Sequence, residues 1–331
     1  MILRWGILGV ARINRSLIPP LQSSERNQLV AIASRDARRA EEAATRWRIP
    51  RSYGTYEELL ADPEIDVVYN PLPNDLHVEW SIRAARAGKH VLCEKPLALT
   101  SPDLARLEDA SRAKGVVVAE AFMYRHHPQT LKVRELVMGG VLGPVGLVRG
   151  SFTFTLNNPQ DYRADPKRGG GALWDIGCYP VSYARYVLGE EPTLALGSQT
   201  LGGTGIDETF VGVLRFPGGA LLSFDCGFSA PYRTQMEIVG REASLVVPRP
   251  FKPGLEEKAL LIRDGRDPEE LPMPGDDLYR GEVEDMADAV LLRKPPRVGL
   301  QESRGNLLAL AALRRAAETG LPAAIGAPSA G

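Results

Sequence analysis

The chain has 331 residues, a formal net charge of −1, 44% hydrophobic residues and 24% charged residues. This length allows two domains, and this composition is that of an ordinary globular protein. The balanced charge argues against nucleic acid or an anionic membrane surface as a partner. The three scattered cysteines predict a reducing compartment, the cytoplasm, and suit no metal site. No signal-peptide pattern and no long apolar stretch is seen, so we expect no membrane span.

Short apolar strands and helical patterns alternate along the first third of the chain. The first helix, from about residue 11 to residue 21, is predicted to end at Pro19-Pro20. The fifth is predicted to have Ser101 or Thr100 as its cap and to end at Gly115. Such alternation implies right-handed crossovers, so we predict an α/β domain with a doubly wound parallel sheet. The predicted strands are 2–8, 28–33, 67–69, 90–93 and 116–119, and the remaining predicted helices are 38–46, 56–60, 76–87 and 101–114.

After Phe122 the pattern changes to long strand-like runs, with Pro217-Gly218-Gly219 marking a turn between two of them. We predict a second, α+β domain with a large, mostly antiparallel sheet. The predicted domains are therefore 1–121 and 122–331, and the small residues after Pro322 are expected to form a loose tail. The predicted strands are 145–155, 194–200, 208–216, 220–228, 235–239 and 243–247, and the predicted helices are 128–138, 172–188, 281–292 and 301–319.

A turn containing one glycine joins the first predicted strand to the first helix. The residues Gly9, Val10, Ala11, Arg12 and Ile13 form a variant of the dinucleotide-binding fingerprint, in which small residues allow a tight turn and close approach to a pyrophosphate. The N–H groups at the start of the following helix would supply donors and a partial positive charge. The alternative is a tight turn without a ligand, but its place at the start of a series of strand–helix units favours a cofactor site.

The end of the second predicted strand distinguishes the two nicotinamide cofactors. NAD-binding proteins place Asp or Glu there, on the ribose 2′-hydroxyl, whereas this chain has Ser34 and Arg35, with Arg39 a turn later. A hydroxyl group and guanidinium groups suit a 2′-phosphate, so we expect NADP(H), with NAD(H) as the alternative. The competing explanation is that Arg35 only solvates the start of a helix.

A proline-containing segment follows the third predicted strand. Pro71, Leu72, Pro73 and Asn74 lie where the chain is expected to wall a cofactor, and the two prolines stiffen it. His77 falls in the first turn of the next helix, where a local hydrogen bond and a role in the cofactor site are equally good explanations.

The fourth predicted strand ends in Glu94-Lys95-Pro96. Ligands of doubly wound sheets bind beyond the carboxyl ends of the strands, so Glu94 and Lys95 are candidates for cofactor binding and Lys95 for catalysis. Pro96 restricts the backbone of Lys95, and a cis Lys95-Pro96 bond is a hypothesis. The alternative is an exposed ion pair at a strand end.

Three glycines, Gly169 to Gly171, lead into the helix predicted at 172–188 and permit close approach of the backbone to a ligand or another chain. Asp175 and Tyr179 are four residues apart, so on a helix they share one face. Gly177 and Pro180 are unfavourable inside a helix, by about 1 and about 3 kcal/mol, which indicates either a new helical segment at Pro180 or another constraint. The alternative is a helix start packed tightly on the sheet.

In their order and spacing, these segments resemble the glucose–fructose oxidoreductase/inositol dehydrogenase/MocA family over nearly the whole chain. The matching segments are Trp5-Gly6-Ile7-Leu8-Gly9, Glu94-Lys95-Pro96, and the three glycines with Asp175 and Tyr179. With Tyr179 and the segment from Phe122 to Pro128, the chain is most similar to dimeric dihydrodiol dehydrogenases, NADP-dependent D-xylose dehydrogenases and sugar 3-ketoreductases. Inositol-type members usually carry His in place of Tyr179, which argues against an inositol substrate.

The resemblance implies a Rossmann domain, an open-faced second domain and an NADP(H)-dependent oxidoreductase that moves a hydride between nicotinamide and a sugar-like carbonyl or alcohol. It implies that Lys95 and Tyr179 carry the proton chemistry, with the immediate donor open between them, while Asp175 orients Tyr179 or a substrate hydroxyl. Side chains that bind hydroxyl groups, with an aromatic plane, suit a sugar ring. The expected substrate contacts are Arg125 and Arg163, in or near the matching segments, with Tyr162 and Trp174.

Two other classes of function remain open at this point. Some relatives use tightly held NAD for transient oxidation while they cleave a glycosidic bond, and a non-catalytic ligand sensor with the same fold is the third possibility. The presence of both Lys95 and Tyr179 argues against a sensor, because a sensor needs no proton donor.

The second predicted sheet has alternating apolar positions, with Val211 and Val213 in one set and Leu222, Phe224 and Cys226 in another. An apolar sheet face needs cover, either from helices or from a partner. We therefore expect a homo-oligomer, a dimer built on this sheet.

Overall fold

The computed structural model describes residues 2–326, which fall into two units. The first unit runs to His126 and also contains Asp277–Arg304, while the second contains His127–Asp276 and the chain from Gly305. This division differs from the single boundary predicted between residues 121 and 122. The late segment belongs to the first unit because it contributes three side chains to that unit's hydrophobic core, those of Val283, Met286 and Ala287.

The first unit contains a parallel sheet of six strands, one more than the sequence predicts. In chain order the strands are Leu3–Leu8 (β1), Asn27–Ala33 (β2), Arg51–Tyr53 (β3), Val67–Asn70 (β4), His90–Glu94 (β5) and Val118–Ala121 (β6). Their order across the sheet is β3-β2-β1-β4-β5-β6. The direction of winding reverses between β1 and β4, and such a switch point creates a crevice for a ligand at the carboxyl ends of the strands.

Helices connect these strands and flank the second sheet. The predicted cap of the fifth helix is present, since the Thr100 side chain accepts a hydrogen bond from the Asp103 N–H and Gly115 is left-handed at the other end. In chain order the helices of the described residues are Asn14–Ser23 (α1), Ala37–Trp47 (α2), Tyr56–Ala61 (α3), Asn74–Arg86 (α4), Ser101–Lys114 (α5), Pro128–Met138 (α6), Cys178–Leu188 (α7), Arg280–Leu291 (α8) and Leu300–Thr319 (α9).

The first helix contains both prolines that were predicted to end it. Pro19 and Pro20 lie inside α1, which continues to Ser23. Each proline removes a helical N–H donor, at a cost of about 3 kcal/mol. The helix persists because Leu17, Ile18 and Leu21 are fully buried in the core of the first unit, and each buried side chain of this kind contributes about 1.5–3 kcal/mol. The predicted helix end was therefore wrong.

The second unit contains a sheet of nine strands. The strands are Val145–Thr155 (β7), Leu194–Leu201 (β8), Asp207–Arg215 (β9), Leu221–Gly227 (β10), Ser229–Gly240 (β11), Ser244–Val247 (β12), Glu257–Ile262 (β13), Glu269–Met273 (β14) and Ala323–Ala324 (β15). Their order is β14-β13-β12-β11-β7-β10-β9-β8-β15, and only β7 and β10 pair in parallel. The mostly antiparallel sheet is as predicted, whereas β13, β14 and β15 were not predicted.

One face of the second sheet lies against helices and the other carries exposed apolar side chains. On the covered face, Gly150 of β7 leaves room for α7, because a Cβ atom there would lie 2.8 Å from the Pro180 Cβ. The predicted apolar set Leu222, Phe224 and Cys226 is buried within the chain itself. On the opposite face Val211 is 47% exposed and Leu196 is 41% exposed.

Among residues 2–326, no helix combines the length and the apolar composition needed to cross a membrane. The same residues contain no cluster of three or more His, Cys, Asp or Glu side chains suited to a metal ion. The tail expected to be loose falls partly on residues 327–331, outside the described residues, whereas Ala323 and Ala324 pair with β8.

Candidate functional site

The turn after β1 has the backbone geometry that its sequence predicts. Gly9 adopts a positive φ of 92°, and a Cβ atom on it would lie 2.9 Å from the Leu72 Cδ2, so another residue would be strained there. The Gly9 N–H donates to the Ala33 carbonyl over 2.8 Å, and the buried Asn14 amide donates to the Gly9 carbonyl over 2.9 Å. Ile13 precedes α1 without a side-chain cap, and the Asn14 and Ser16 N–H groups donate to the Ala11 and Ile13 carbonyls.

The end of β2 and the start of α2 carry Ser34, Arg35 and Arg39, and the charges of the two arginines act on Tyr56. Ser34 is buried, and its hydroxyl accepts the Asp36 N–H over 3.2 Å. Burial raises the pKa of Tyr56, an effect opposed by Arg35, which hydrogen-bonds the tyrosine, and by the charge of Arg39. Asp36 is occupied as the cap of α2, where its carboxylate accepts the Arg39 N–H over 3.2 Å. Asp36 therefore already has a structural partner.

Arg38 is exposed, as Arg35 and Arg39 are, but it lies beside a different group. Its Nε is 3.7 Å from the carboxylate of Glu42 on the same helix, and its side chain is 81% exposed. Tyr56 was not predicted as part of the site, although its hydroxyl would lie 3.5 Å from a Cβ atom on Gly9 and so borders the turn after β1. Only the packing of α3 against β1 brings this tyrosine to the turn, and no local pattern indicates it.

The proline segment after β4 is fixed by a histidine. His77 is buried, with its Nε2 2.6 Å from the Leu72 carbonyl and its Nδ1 2.8 Å from the Pro96 carbonyl. Burial lowers the pKa of His77, against the two carbonyl contacts, which favour the charged form. Asn70 adds a link, because its amide donates to the His77 carbonyl over 3.0 Å. His77 therefore makes the local hydrogen bonds that were one of its two predicted roles, and it ties the segments after β4 and β5 together.

The segment after β5 contains the Lys95-Pro96 peptide bond, which is cis as hypothesised. Lys95 and Glu94 are half-buried, and the Tyr69 hydroxyl donates to Glu94 Oε1 over 2.6 Å. The buried Glu120 accepts the Leu97 N–H over 2.8 Å and so holds the chain beyond the proline. The lysine therefore stands at the carboxyl end of β5 in a segment fixed on both sides.

A second set of acidic and phenolic groups near Glu94 was missed at the sequence level. Glu282, in the first turn of α8, is 1% exposed, and burial, followed by the charge of Glu94, raises the pKa of its carboxyl well above the usual range. Burial and the same two carboxylates raise the pKa of Tyr279 and of Tyr69. Glu282 and Tyr279 come from the late segment of the first unit, so their distance along the chain from Tyr69 and Glu94 hid the cluster.

In the second unit, Asp175 and Tyr179 lie on consecutive helical segments. The single helix predicted at 172–188 begins instead as a π-helical turn, Leu173–Gly177, and α7 starts at Cys178 with Pro180 in its first turn. A proline in the first turn has no N–H that an α-helix would need, which is why a new segment starts here. Both Asp175 and Tyr179 are buried, with exposures of 4% and 5%.

An arginine neutralises Asp175. The Arg163 Nε donates to Asp175 Oδ2 over 2.8 Å, and its Nη1 lies 3.1 Å from Asp161 Oδ1. Burial works against the charge of Arg163, but Asp175, Tyr162 and Asp161 together outweigh it and raise the pKa of the guanidinium. The same guanidinium lies 4.6 Å from the ring centre of the half-buried Tyr162. Three of the predicted residues, Tyr162, Arg163 and Asp175, are therefore in direct contact.

The ring of Tyr179 is held by two phenylalanines. Its centre lies 5.3 Å from that of Phe152 on β7 and 5.4 Å from that of Phe251. Both phenylalanines are buried, and they stack on each other at 5.3 Å. Neither was predicted, since they come from a strand and a loop with no pattern that links them to Tyr179.

The remaining two predicted substrate residues are almost fully buried. Arg125 belongs to the first unit, is 2% exposed and pairs with Glu302 over 3.2 Å. Trp174 is 4% exposed in the π-helical turn. The structure thus places all the predicted cofactor residues and Arg125 in the first unit, and the other predicted substrate and catalytic residues in the second.

Comparison with known proteins agrees with both units. The sequence matches the oxidoreductase family with an NAD-binding Rossmann fold over residues 3–122, and the GFO/IDH/MocA C-terminal domain over residues 130–246. It is 40% identical to D-xylose 1-dehydrogenase (NADP(+)) 2 of Haloferax volcanii over 96% of this chain and 98% of that protein. It is 38% identical to trans-1,2-dihydrobenzene-1,2-diol dehydrogenase of Danio rerio over 75% of each chain.

A solved structure extends the similarity to the whole fold. A 3-ketoreductase from Actinomadura kijaniata, crystallised with NADP and TDP-benzene, superposes with a TM-score of 0.91. It is 31% identical in sequence, and the match covers 96% of this chain and 98% of that one. The three groups of enzymes predicted to be most similar are thus all represented. The chain belongs to the glucose–fructose oxidoreductase/inositol dehydrogenase/MocA family of oxidoreductases.

Proposed function

We propose that this protein is an NADP(H)-dependent oxidoreductase that transfers a hydride between nicotinamide and a carbonyl or alcohol group of a sugar, a keto-sugar or a related diol. One observation carries the proposal. The candidate cofactor residues follow the carboxyl ends of four strands, at the same edge of the parallel sheet and on both sides of its switch point. The turn at Gly9 follows β1, Ser34 and Arg35 follow β2, the segment from Pro71 follows β4, and Lys95 follows β5. This edge is where doubly wound sheets bind dinucleotides.

We assign the phosphates of the cofactor to the first two strand ends. The tight turn from Gly9 to Ile13 and the uncapped start of α1 suit the pyrophosphate, because they present N–H donors and a partial positive charge. Arg35 and Arg39, with the Ser34 hydroxyl, would bind a 2′-phosphate. Asp36 accepts a backbone N–H as a helix cap, which makes it a poor partner for a free 2′-hydroxyl and favours NADP(H) over NAD(H).

The rest of the cofactor site comes from the next two strand ends. The segment Pro71 to Asn74 would wall the cofactor, and His77 fixes this segment to the chain beyond Lys95. Glu94, held by the Tyr69 hydroxyl, completes the edge of the site. In this arrangement His77 acts on the cofactor through the backbone that it holds.

The proton chemistry is assigned to Lys95 and Tyr179, with Asp175 as their support. When bound, the nicotinamide supplies or accepts the hydride. In the reducing direction the substrate oxygen gains negative charge, which the Lys95 ammonium would stabilise by a hydrogen bond and the Tyr179 hydroxyl would neutralise by donating its proton. A tyrosine with an ordinary pKa of about 10 becomes a better donor at neutral pH when an ammonium is close. Asp175, neutralised by Arg163, would orient a substrate hydroxyl.

Sugar-like substrates are supported by the relatives. The Haloferax volcanii relative is named for D-xylose and the Actinomadura kijaniata structure is that of a 3-ketoreductase. In this chain, Arg163 and Tyr162 offer a cation and an aromatic plane beside Asp175, a combination that suits a ring with several hydroxyl groups. We also assign Arg125 and Trp174 to the substrate site.

The test is a titration of the purified protein with NADPH and with NADH, followed by nicotinamide fluorescence, and then turnover with D-xylose and with keto-sugars. We expect tighter binding of NADPH and a change in nicotinamide absorbance during turnover. Tighter binding of NADH would contradict the assignment of Arg35 and Arg39. A reaction without net change in absorbance would contradict the proposed reaction and favour transient oxidation.

We further propose a cytoplasmic homodimer built on the exposed face of the second sheet. Val211 and Leu196 on that face are among the exposed apolar side chains, and a two-fold contact would cover them. The three cysteines are buried free thiols, in keeping with a reducing compartment. Sedimentation at micromolar concentration should give a dimer, and Val211→Glu should give a monomer; a monomeric wild-type protein would overturn the proposal.

A further inference from the structure

The segment that carries Asp175 and Tyr179 begins in the protein interior. Ala172, Leu173 and Trp174 are each no more than 4% exposed, so water does not reach the first N–H groups of the helix. The residues around the helix start provide no side-chain cap from within the segment. Buried N–H groups without an acceptor cost about 1–3 kcal/mol each, so an acceptor from elsewhere in the chain is needed.

Asp207, the first residue of β9, supplies that acceptor from 34 residues away along the chain. Its Oδ2 accepts the Leu173 N–H over 2.6 Å. A carboxylate at this place satisfies the buried donors and also interacts favourably with the positive end of the helix. The start of the segment is therefore fixed by a strand of the sheet and not by its own sequence.

The close approach of Asp207 explains one of the three glycines. A Cβ atom on Gly171 would lie 2.0 Å from Asp207 Oδ1, and the backbone there has a φ of +116°. The Gly171 carbonyl accepts the Asp175 N–H over 3.1 Å, and the Gly171 N–H donates to the Arg163 carbonyl over 3.0 Å. Gly171, which lies against Asp207, is thus hydrogen-bonded through its backbone to Asp175 and to Arg163, the partner of Asp175.

We propose that Asp207 is a positioning residue for the proton chemistry: its ionised carboxylate anchors the segment that carries Asp175 and Tyr179, and so sets the geometry of the proton donor. The inference rests on the proposed function. Asp207 would not touch the substrate, because it is 9% exposed and its oxygens are taken by backbone donors. Its effect would appear in turnover and not in cofactor affinity, since the residues assigned to NADP(H) lie in the first unit.

The charge of Asp207 changes in an accessible pH range. Burial raises the pKa of Asp207 to about 6, against the backbone N–H groups and the charge of Arg314 on α9, which lower it. Burial also raises the pKa of Cys226 on β10 well above its usual value, so this neighbour stays a neutral thiol across that range. A protonated carboxyl keeps one good acceptor oxygen instead of two and loses its interaction with the helix end.

The experiment compares Asp207→Asn and Asp207→Ala with Asp62→Asn as a matched control. Asp62 is also a buried carboxylate that accepts a backbone N–H, that of Glu64 over 2.9 Å, but it lies in the first unit away from the assigned site. We expect Asp207→Ala to lower kcat about tenfold or more with NADPH affinity within about twofold, and Asp207→Asn to recover part of this loss. The wild type and Asp62→Asn should lose turnover as the pH falls through about 6, and Asp207→Asn should not.

A second readout does not depend on turnover. Trp174 directly follows Leu173, the residue that Asp207 anchors, so 5-fluorotryptophan at this position reports on the anchor. Its ¹⁹F resonance is assigned with the variant Trp174→Phe. We expect this resonance to titrate near pH 6 in the wild type and to stay constant in Asp207→Asn. A resonance that titrates alike in both proteins, or an Asp207→Ala variant with the kcat and pH profile of the control, would overturn the inference. If no sugar is turned over by the wild type but the resonance behaves as expected, the proposed function fails and the anchoring by Asp207 stands.

Discussion

Ionisation of Asp207 should lower the stability of the protein, whereas ionisation of an aspartate with a lowered pKa raises it. Its pKa is about 6 in the folded protein and 3.8 is the ordinary value, which corresponds to ~3 kcal/mol in total. Because the folded state binds this proton more tightly, the stability that the protonated form confers is fully present below pH 3.8 and is lost as the pH rises through about 6. The free energy of unfolding of the wild type, relative to Asp207→Asn, should therefore fall by ~2.4 kcal/mol between pH 4 and pH 8.

Urea denaturation at several pH values, followed by the ¹⁹F resonances of protein labelled with 5-fluorotryptophan, measures this difference, because Trp174 reports on the second unit and Trp5 on the first. Asp62 provides a control of opposite sign, since hydrogen bonds from the Glu64 N–H and the Tyr53 hydroxyl overcome its burial and lower its pKa. Relative to Asp62→Asn, the wild type should become less stable as the pH falls through the lowered pKa of Asp62. A wild-type protein that gains stability over Asp207→Asn between pH 4 and pH 8 would show that the buried carboxylate is not costly to ionise and would refute the reasoning.

Three further predictions concern the assigned site. Arg35→Ala should weaken NADPH binding about tenfold or more and leave NADH binding unchanged, because charge-assisted bonds to the 2′-phosphate are lost. Equal effects on both cofactors would contradict the assignment. The control is Arg38→Ala, at a solvent-exposed arginine of α2. Tyr179→Phe should lower kcat about 100-fold or more while NADPH still binds, and near-normal turnover would remove its role as proton donor. His77→Phe should lower the free energy of unfolding by ~1–3 kcal/mol and raise the KM for NADPH, since the Leu72 and Pro96 carbonyls lose their partner; an unchanged KM would limit His77 to stability.

Features set by neighbouring residues were predictable from the sequence. The turn at Gly9, the cap at Thr100 and the alternation of strands and helices each depend on a few adjacent residues, and the structure has all three. The length of α1 was not predictable from Pro19 and Pro20, because burial of its apolar face against the sheet outweighs the local cost of the prolines. The three-residue strand β3 is too short to produce a periodic signal.

The candidate site shows the same division. Ser34, Arg35 and Lys95 are candidates that the sequence alone indicates, because ligands of such sheets bind at the strand ends. Tyr56 and Asp207 were not found, because they reach the site through contacts between segments far apart in the chain. Only the folded arrangement shows that a tyrosine borders the turn after β1 and that an aspartate of β9 caps the start of the π-helical turn.

The return of Asp277–Arg304 to the first unit affects how the protein is made. Helix α8 follows β14 in the chain, so it is synthesised only after most strands of the second unit. Until then the first unit lacks the buried side chains of α8 and the ion pair between Arg26 and Asp288, at 2.6 Å. Domains otherwise tend to fold in the order in which they leave the ribosome. Here the part of the chain that starts first is completed after most of the second unit, so a fragment that stops at His126 would lack part of its own core.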